Sequence, residues 1–124
     1  MKDYAALLKP FGGEIIPNPD GIGVVVGIYH GKFNKELFDI LKQISNLETL
    51  IFYVTNITDD DLTLISQLKS IEKLGFLSCT ISDIGLIHLQ RLHRLAKLQL
   101  HDTLVTPEGI AKLKARIPEL EISQ

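Results

Sequence analysis

Four histidines, a single cysteine and a run of three aspartates are the side chains best suited to chemistry in this sequence. Cys79 would act as a nucleophile or redox thiol if a nearby cation held it as the thiolate, but no Lys, Arg or His stands at an obviously activating spacing. As the lone cysteine it can form neither an intrachain disulfide nor a multi-cysteine metal site. Asp59-Asp60-Asp61 offers carboxylates to a hard cation, yet the glycine and terminal glutamate of a helix-loop-helix calcium loop are missing. His88 and His93 are five residues apart, whereas two ligands on one helical face need a spacing of four. His101-Asp102 is the nearest approach to a His/carboxylate pair, and no nucleophile stands beside it. Gly21-Ile22-Gly23 precedes a strand instead of joining strand to helix, so it does not read as a dinucleotide loop. The chain is therefore read as non-enzymatic, with no catalytic residues, no cofactor and no metal.

The bulk properties point the same way. A chain of 124 residues, 45% hydrophobic and 23% charged, suits one soluble globular domain. A net charge of −2 with scattered Lys and Arg gives no footprint for nucleic acid or a membrane surface. The first ten residues carry no apolar stretch of signal-peptide length, and no run reaches the roughly 18 apolar residues of a membrane span. Together with the lone cysteine, these features make a cytoplasmic location the expectation.

The elements that must position any functional side chain are set by an internal repeat. Adding 24 to Leu47, Leu50, Phe52, Ile57, Leu62, Ile65 and Leu68 gives Ile71, Leu74, Phe76, Ile81, Leu86, Leu89 and Leu92. Adding 24 again gives Leu95, Leu98, Leu100, Val105, Ile110, Leu113 and Arg116, and subtracting it from the first set gives Gly23, Val26, Ile28, Phe33, Phe38, Leu41 and Ile44. Only Gly23 and Arg116 break the apolar framework, far fewer than a 45% composition would produce by chance. Each unit opens with period-two alternation, the mark of a strand, and continues with apolar residues three apart, which suits one helical face. Asn34, Thr58, Ser82 and Thr106 stand where helix N-caps are needed, and Pro107 at a first helical position. The aspartate run at 59–61 falls where a helix dipole favours negative charge. The expected strands are 25–29, 49–53, 73–77 and 97–101; the expected helices are 35–44, 59–69, 83–93 and 107–116.

Residues 1–22 read as a cap. A short amphipathic helix over 3–9, with Ala6, Leu7 and Leu8 inward, is followed by a strand at Glu14-Ile15-Ile16 that pairs antiparallel and covers one edge. Pro17-Asn18-Pro19-Asp20-Gly21 is the turn between them and the first repeat. Residues 23–124 divide into units 23–46, 47–70, 71–94 and 95–119, with a terminal strand at 120–122.

The units Leu74-Gly75-Phe76 through Ser82-Asp83-Ile84-Gly85-Leu86, and Leu98-Gln99-Leu100 through Thr106-Pro107-Glu108-Gly109-Ile110, resemble leucine-rich-repeat proteins of the bacterial and cysteine-containing subtypes. The resemblance spans about residues 23–122, with Leu8-Lys9-Pro10-Phe11-Gly12-Gly13 similar to the lead-in of bacterial relatives. It implies an α/β fold: a right-handed β-α superhelical solenoid of about four repeats with a parallel concave sheet. It also implies binding to other proteins and brings no catalytic residues. Lys35, where aspartate is usual, departs from the pattern, as do Gly23 and Gly31 at framework positions.

Strand alternation aims the residues between framework positions out of the concave sheet. Three columns result: Val25, Thr49, Lys73 and Lys97; Gly27, Ile51, Gly75 and Gln99; Tyr29, Tyr53, Leu77 and His101. Tyr29, Ile51, Tyr53 and Leu77 form an apolar and aromatic group rimmed by Lys73, Lys97, Gln99 and His101, the composition of a protein-binding surface. The expected function is a protein-interaction module gripping a protein or peptide there. The alternative is self-assembly, with the edge of the 120–122 strand pairing to a second copy as a weak homodimer. Cys79 shares the phase of Thr55 and Thr103 and is expected to be a structural residue bonded to the loop backbone.

Overall fold

In the computed structural model of this chain, residues 2–19 and 21–124 are described; Asp20, part of the expected turn, lies outside them. Six strands form one sheet in chain order: β1 (Gly13–Ile16), β2 (Val24–Tyr29), β3 (Leu47–Tyr53), β4 (Lys73–Leu77), β5 (Lys97–His101) and β6 (Glu121–Ser123). β1 is antiparallel to β2, and every later pairing is parallel. The register follows the 24-residue period: Leu50 pairs with Leu74 and Leu74 with Leu98, while Phe52 pairs with Phe76 and Phe76 with Leu100. β6 begins one residue later than the alternation suggests. Parallel neighbours cannot be joined by a tight turn, so each connection carries a crossover, and here it is helical.

The inward residues of the strands and the apolar stripe of the helices make one continuous core, running from Leu8 through Val26, Leu50, Phe52, Phe76 and Leu98 to Leu120. The Phe52 and Phe76 rings stack at 5.6 Å, and Phe33 meets Phe52 edge-on at 5.9 Å. Asn18, in the β1–β2 connection, donates to the Gly23 carbonyl at 2.9 Å, tying the turn to the start of β2.

The helices differ more from the sequence reading than the strands do. α1 (Tyr4–Leu8) is followed by one 3-10 turn at Lys9–Phe11; Leu8 is buried in the core, Tyr4 packs partly against it, and Ala6 and Leu7 are exposed. α2 (Lys35–Gln43) starts on Asn34, whose side chain accepts from the Leu37 N–H at 2.9 Å. α3 is only Leu62–Ile65, not 59–69. The Thr63 hydroxyl donates to the Asp60 carbonyl and the Ser66 hydroxyl to that of Thr63, local bonds that compete with a helix ladder. α4 (Asp83–Leu86) gives way to a 3-10 helix at Ile87–Arg91 where a continuous helix over 83–93 is expected. Leu86, Leu89 and Leu92 are three apart and all buried, a spacing the 3-10 repeat accommodates, although Phe38, Leu41 and Ile44 share it in the unit of the regular helix α2. α5 (Pro107–Arg116) matches its expected bounds, with Thr106 as cap.

Asp59 does not act as a helix-start charge. Its carboxylate accepts the Ser82 N–H at 2.7 Å and the Ser82 hydroxyl at 2.6 Å, reaching into the next unit. Asp83 does the same to Thr106, accepting its N–H at 2.8 Å and its hydroxyl. Gly85 and Gly109 leave room for these carboxylates, since a Cβ on either would overlap the aspartate oxygen. Where Lys35 replaces the aspartate, Thr58 turns instead to Asp61 in its own unit, its N–H donating at 2.9 Å.

The Thr106 hydroxyl and then the Thr106 N–H hold the Asp83 carboxyl below its ordinary value of 3.8, opposed by slight desolvation and aided by Lys112. A carboxyl depressed in the folded state adds stability above its unfolded value, and that stability disappears as pH falls through the folded value. The melting midpoint of the native protein should therefore fall more steeply below about pH 4 than that of Asp83→Asn. Parallel acid limbs would mean the clamp carries no such linkage.

Candidate functional site

The face of the sheet away from the helices is built from three rows, each set by strand register. Val25, Thr49, Lys73, Lys97 and Glu121 are successive partners in the first; Gly27, Ile51, Gly75, Gln99 and Ser123 in the second; Tyr29, Tyr53, Leu77 and His101 in the third. Residues two apart on each strand thus share one surface, and all eight residues expected there lie on it: Tyr29, Ile51, Tyr53, Lys73, Leu77, Lys97, Gln99 and His101. Glu14 is the antiparallel partner of Gly27 and joins the second row from β1.

The group is tightly arranged. The Tyr29 and Tyr53 rings are 6.3 Å apart and tilted, and His30 meets Tyr53 edge-on at 5.8 Å. Tyr29 lies back across Gly27, where a Cβ would collide with its ring. Tyr29, Ile51 and Leu77 are half-buried by this packing, and Tyr53 is 41% exposed. Gly75 is buried between its neighbours in the row: a Cβ there would stand 3.2 Å from Gln99 Oε1 and 3.5 Å from the Ile51 side chain. Toward the β6 edge a groove of about 400 Å³ is lined by Thr49, Ile51, Lys73, Lys97, Gln99 and Glu121 among others. Lys73 and Lys97 are in-register neighbours and exposed. Among the described residues the ion pairs are Lys35–Asp39 and Arg94–Glu72, so neither face lysine is paired.

One feature of this face has no signal in the sequence. His30, Val54, Ser78 and Asp102, each directly following a strand, all adopt positive φ, between 51° and 57°. The first three also donate their N–H to the last carbonyl of the adjacent strand, at 2.8–2.9 Å, prolonging the ladder as the chain turns off the sheet. Left-handed backbone ordinarily selects glycine or asparagine, and a β-branched residue is the least suited. Val54 adopts it at φ 51° with a side chain 42% exposed, so the turn presents an apolar group beside Tyr53. Val54→Asn should raise unfolding stability by about 1 kcal/mol, measurable as a higher denaturant midpoint with unchanged slope; a lower midpoint would mean the valine is held by packing.

The other chemically capable residues do not converge. Cys79 is buried, its thiol within 3.6 Å of the Phe52 carbonyl and of the Thr55 hydroxyl, in the backbone-tethering position its phase suggests. Asp102 accepts from the Ser78 hydroxyl at 3.0 Å. No cluster of three or more His, Cys, Asp or Glu that could hold a metal occurs among the described residues. No helix among them is long and apolar enough to cross a membrane.

A second concavity, larger at about 630 Å³, lies on the helical side between α4 with its 3-10 extension and α5, lined by Ile84, Ile87, Lys112 and Arg116 among others. Ile84 is 68% and Ile87 59% exposed. The repeat framework, which takes Leu86, Leu89 and Leu92 as the core face, makes no assignment for Ile84 and Ile87, which stand exposed three residues apart.

Comparison with protein-family models gives no match, and a search of curated proteins gives none either.

Proposed function

We propose that this chain is a leucine-rich-repeat solenoid acting as a non-enzymatic interaction module, with a protein or peptide held on its concave sheet. The repeat reading rests on the 24-residue framework and on parallel strands that follow one another in the same register. The observation that carries the binding reading is the cluster of Tyr29, Ile51, Tyr53 and Leu77 on one sheet face, flanked by two lysines without an ion-pair partner among the described residues. Large aromatic and aliphatic side chains at the centre of a polar rim are the composition of interface hot spots. The helical groove is larger and its lining includes two isoleucines and two leucines, but no aromatic residue.

The test compares partner capture by the native protein and by Tyr53→Glu/Leu77→Glu, with circular dichroism confirming that both fold. A partner bound by the first and lost by the second, by about tenfold or more in affinity, supports the sheet face. Equal capture would move the binding site to the helical groove or to the outer edge of β6, where a second copy could add to the sheet.

A further inference from the structure

We infer that the groove between Ile51 and Glu121 receives a carboxylate from an extended acidic peptide, held by Lys73 and Lys97, while an apolar side chain of the same peptide rests beyond it on Tyr53 and Leu77. This rests on the sheet face being the binding surface and specifies the chemistry of what it binds. Like charges directly across neighbouring strands destabilise a sheet. Lys73 and Lys97 are such a pair, exposed and without an ion-pair partner among the described residues. Strands stand about 4.8 Å apart, so two ammonium groups at this spacing converge on one carboxylate. Glu121, in register on the far side of Lys97, repels an incoming acid and biases it toward Lys73. Lys73 and Lys97 both line the groove of about 400 Å³, together with Ile51 and Gln99.

The apolar end fits the same ligand. Lys73 and Leu77 are four residues apart on β4, about 13 Å in an extended strand, which equals the reach of four residues of an extended peptide. An acidic side chain and an apolar or aromatic one, three to four residues apart, would thus meet the lysines in the groove and Tyr53 and Leu77 beyond it. A nucleic acid is a poorer fit. Two lysines beside Glu121, on a chain of net charge −2, neutralise too few phosphates to hold one.

The probe is a displayed library of short random peptides selected on the native protein. Enriched peptides are then titrated by fluorescence anisotropy against native protein, Lys73→Gln/Lys97→Gln, Lys73→Arg/Lys97→Arg and Tyr53→Ser/Leu77→Ser, all checked for folding by circular dichroism. The expected result is enrichment of Asp or Glu, with affinity falling about tenfold or more on the glutamine variant and staying within about threefold on the arginine variant. Changing the peptide acid to its amide should cost as much on native protein and little on the glutamine variant, because the two changes remove one interaction. Peptides that lose affinity on the serine variant but bind the glutamine variant undiminished would overturn the carboxylate assignment and leave the sheet-face reading standing. Peptides indifferent to both variants would overturn the two together. A single-stranded oligonucleotide bound more tightly than any peptide, and released by the glutamine substitutions, would assign the lysines to phosphate and overturn the proposal.

Discussion

Phe52→Ala is expected to lower unfolding stability by about 3–5 kcal/mol, the range for emptying a large aromatic site in a close-packed core. Phe52 is fully buried at the middle of the sheet. Its ring stacks on Phe76 with an interplanar angle of 8° and takes the edge of Phe33. Along the register it stands between Ile28 and Phe76, with Leu100 beyond. Removing the ring therefore opens a cavity that two neighbouring units share, and neither can collapse into it without shifting a strand. Its carbonyl is also a hydrogen-bond acceptor of the Cys79 thiol, so strand displacement would disturb the turn after β4 as well. Phe52→Leu keeps most of the volume and should cost about 1–2 kcal/mol. Equilibrium denaturation read by circular dichroism distinguishes the two. A loss below about 1 kcal/mol for the alanine variant would mean that the units pack independently.

The second large effect concerns the carboxylate clamp between units. Asp59→Ala removes both acceptors of Ser82 and leaves its backbone N–H, at the start of α4, without its partner. Losing a hydrogen bond while stranding a half-buried donor costs about 1–3 kcal/mol. Gly85→Ala should cost a similar amount for the opposite reason: its new methyl would overlap Asp59 Oδ1 and stand 2.8 Å from Leu62 Cδ1. Because both substitutions act at one contact, they should not add. In Asp59→Ala/Gly85→Ala the methyl occupies space the carboxylate has vacated, so the double variant should be more stable than the sum of the single losses by about 1 kcal/mol. The remaining crowding against Leu62 keeps the rescue partial. Strict additivity would show that the glycine is not there to admit the carboxylate.

Much of this architecture is legible in the sequence because strand register is a matter of counting. Leu50, Leu74 and Leu98 are 24 apart and lie side by side, and alternation alone then assigns Ile51, Gly75 and Gln99 to one face and Phe52 and Phe76 to the other. The antiparallel β1 is legible for a similar reason: Pro17, Asn18, Pro19 and Gly21 interrupt the chain between two short apolar runs. Helix extent is less legible. The spacing of three in Leu86, Leu89 and Leu92 is shared by the unit of the regular helix α2 and so does not mark the 3-10 turn, and Thr63 and Ser66 weaken α3 through bonds to the backbone that no hydrophobic pattern registers. The left-handed turns are not legible at all, since His30, Val54, Ser78 and Asp102 share a conformation and no side-chain chemistry. At the candidate site the members are readable from alternation, but their arrangement is not. That Tyr29 folds over Gly27, and that Ile51 and Gln99 close over Gly75, depends on rotamers. The clamp has a visible trace, Asp59 with Ser82 and Asp83 with Thr106, but it emerges only when residues 23 apart are compared.

The claim that the sheet face is where this chain binds is tested most directly by amide hydrogen exchange, with and without the tightest peptide from the displayed library. Added protection is expected over residues 49–54, 73–78 and 97–101, with segments 83–91 and 107–116 exchanging as in the free protein. Protection confined to 83–91 and 107–116, with the strands unchanged, would place the ligand in the helical groove and contradict the assignment.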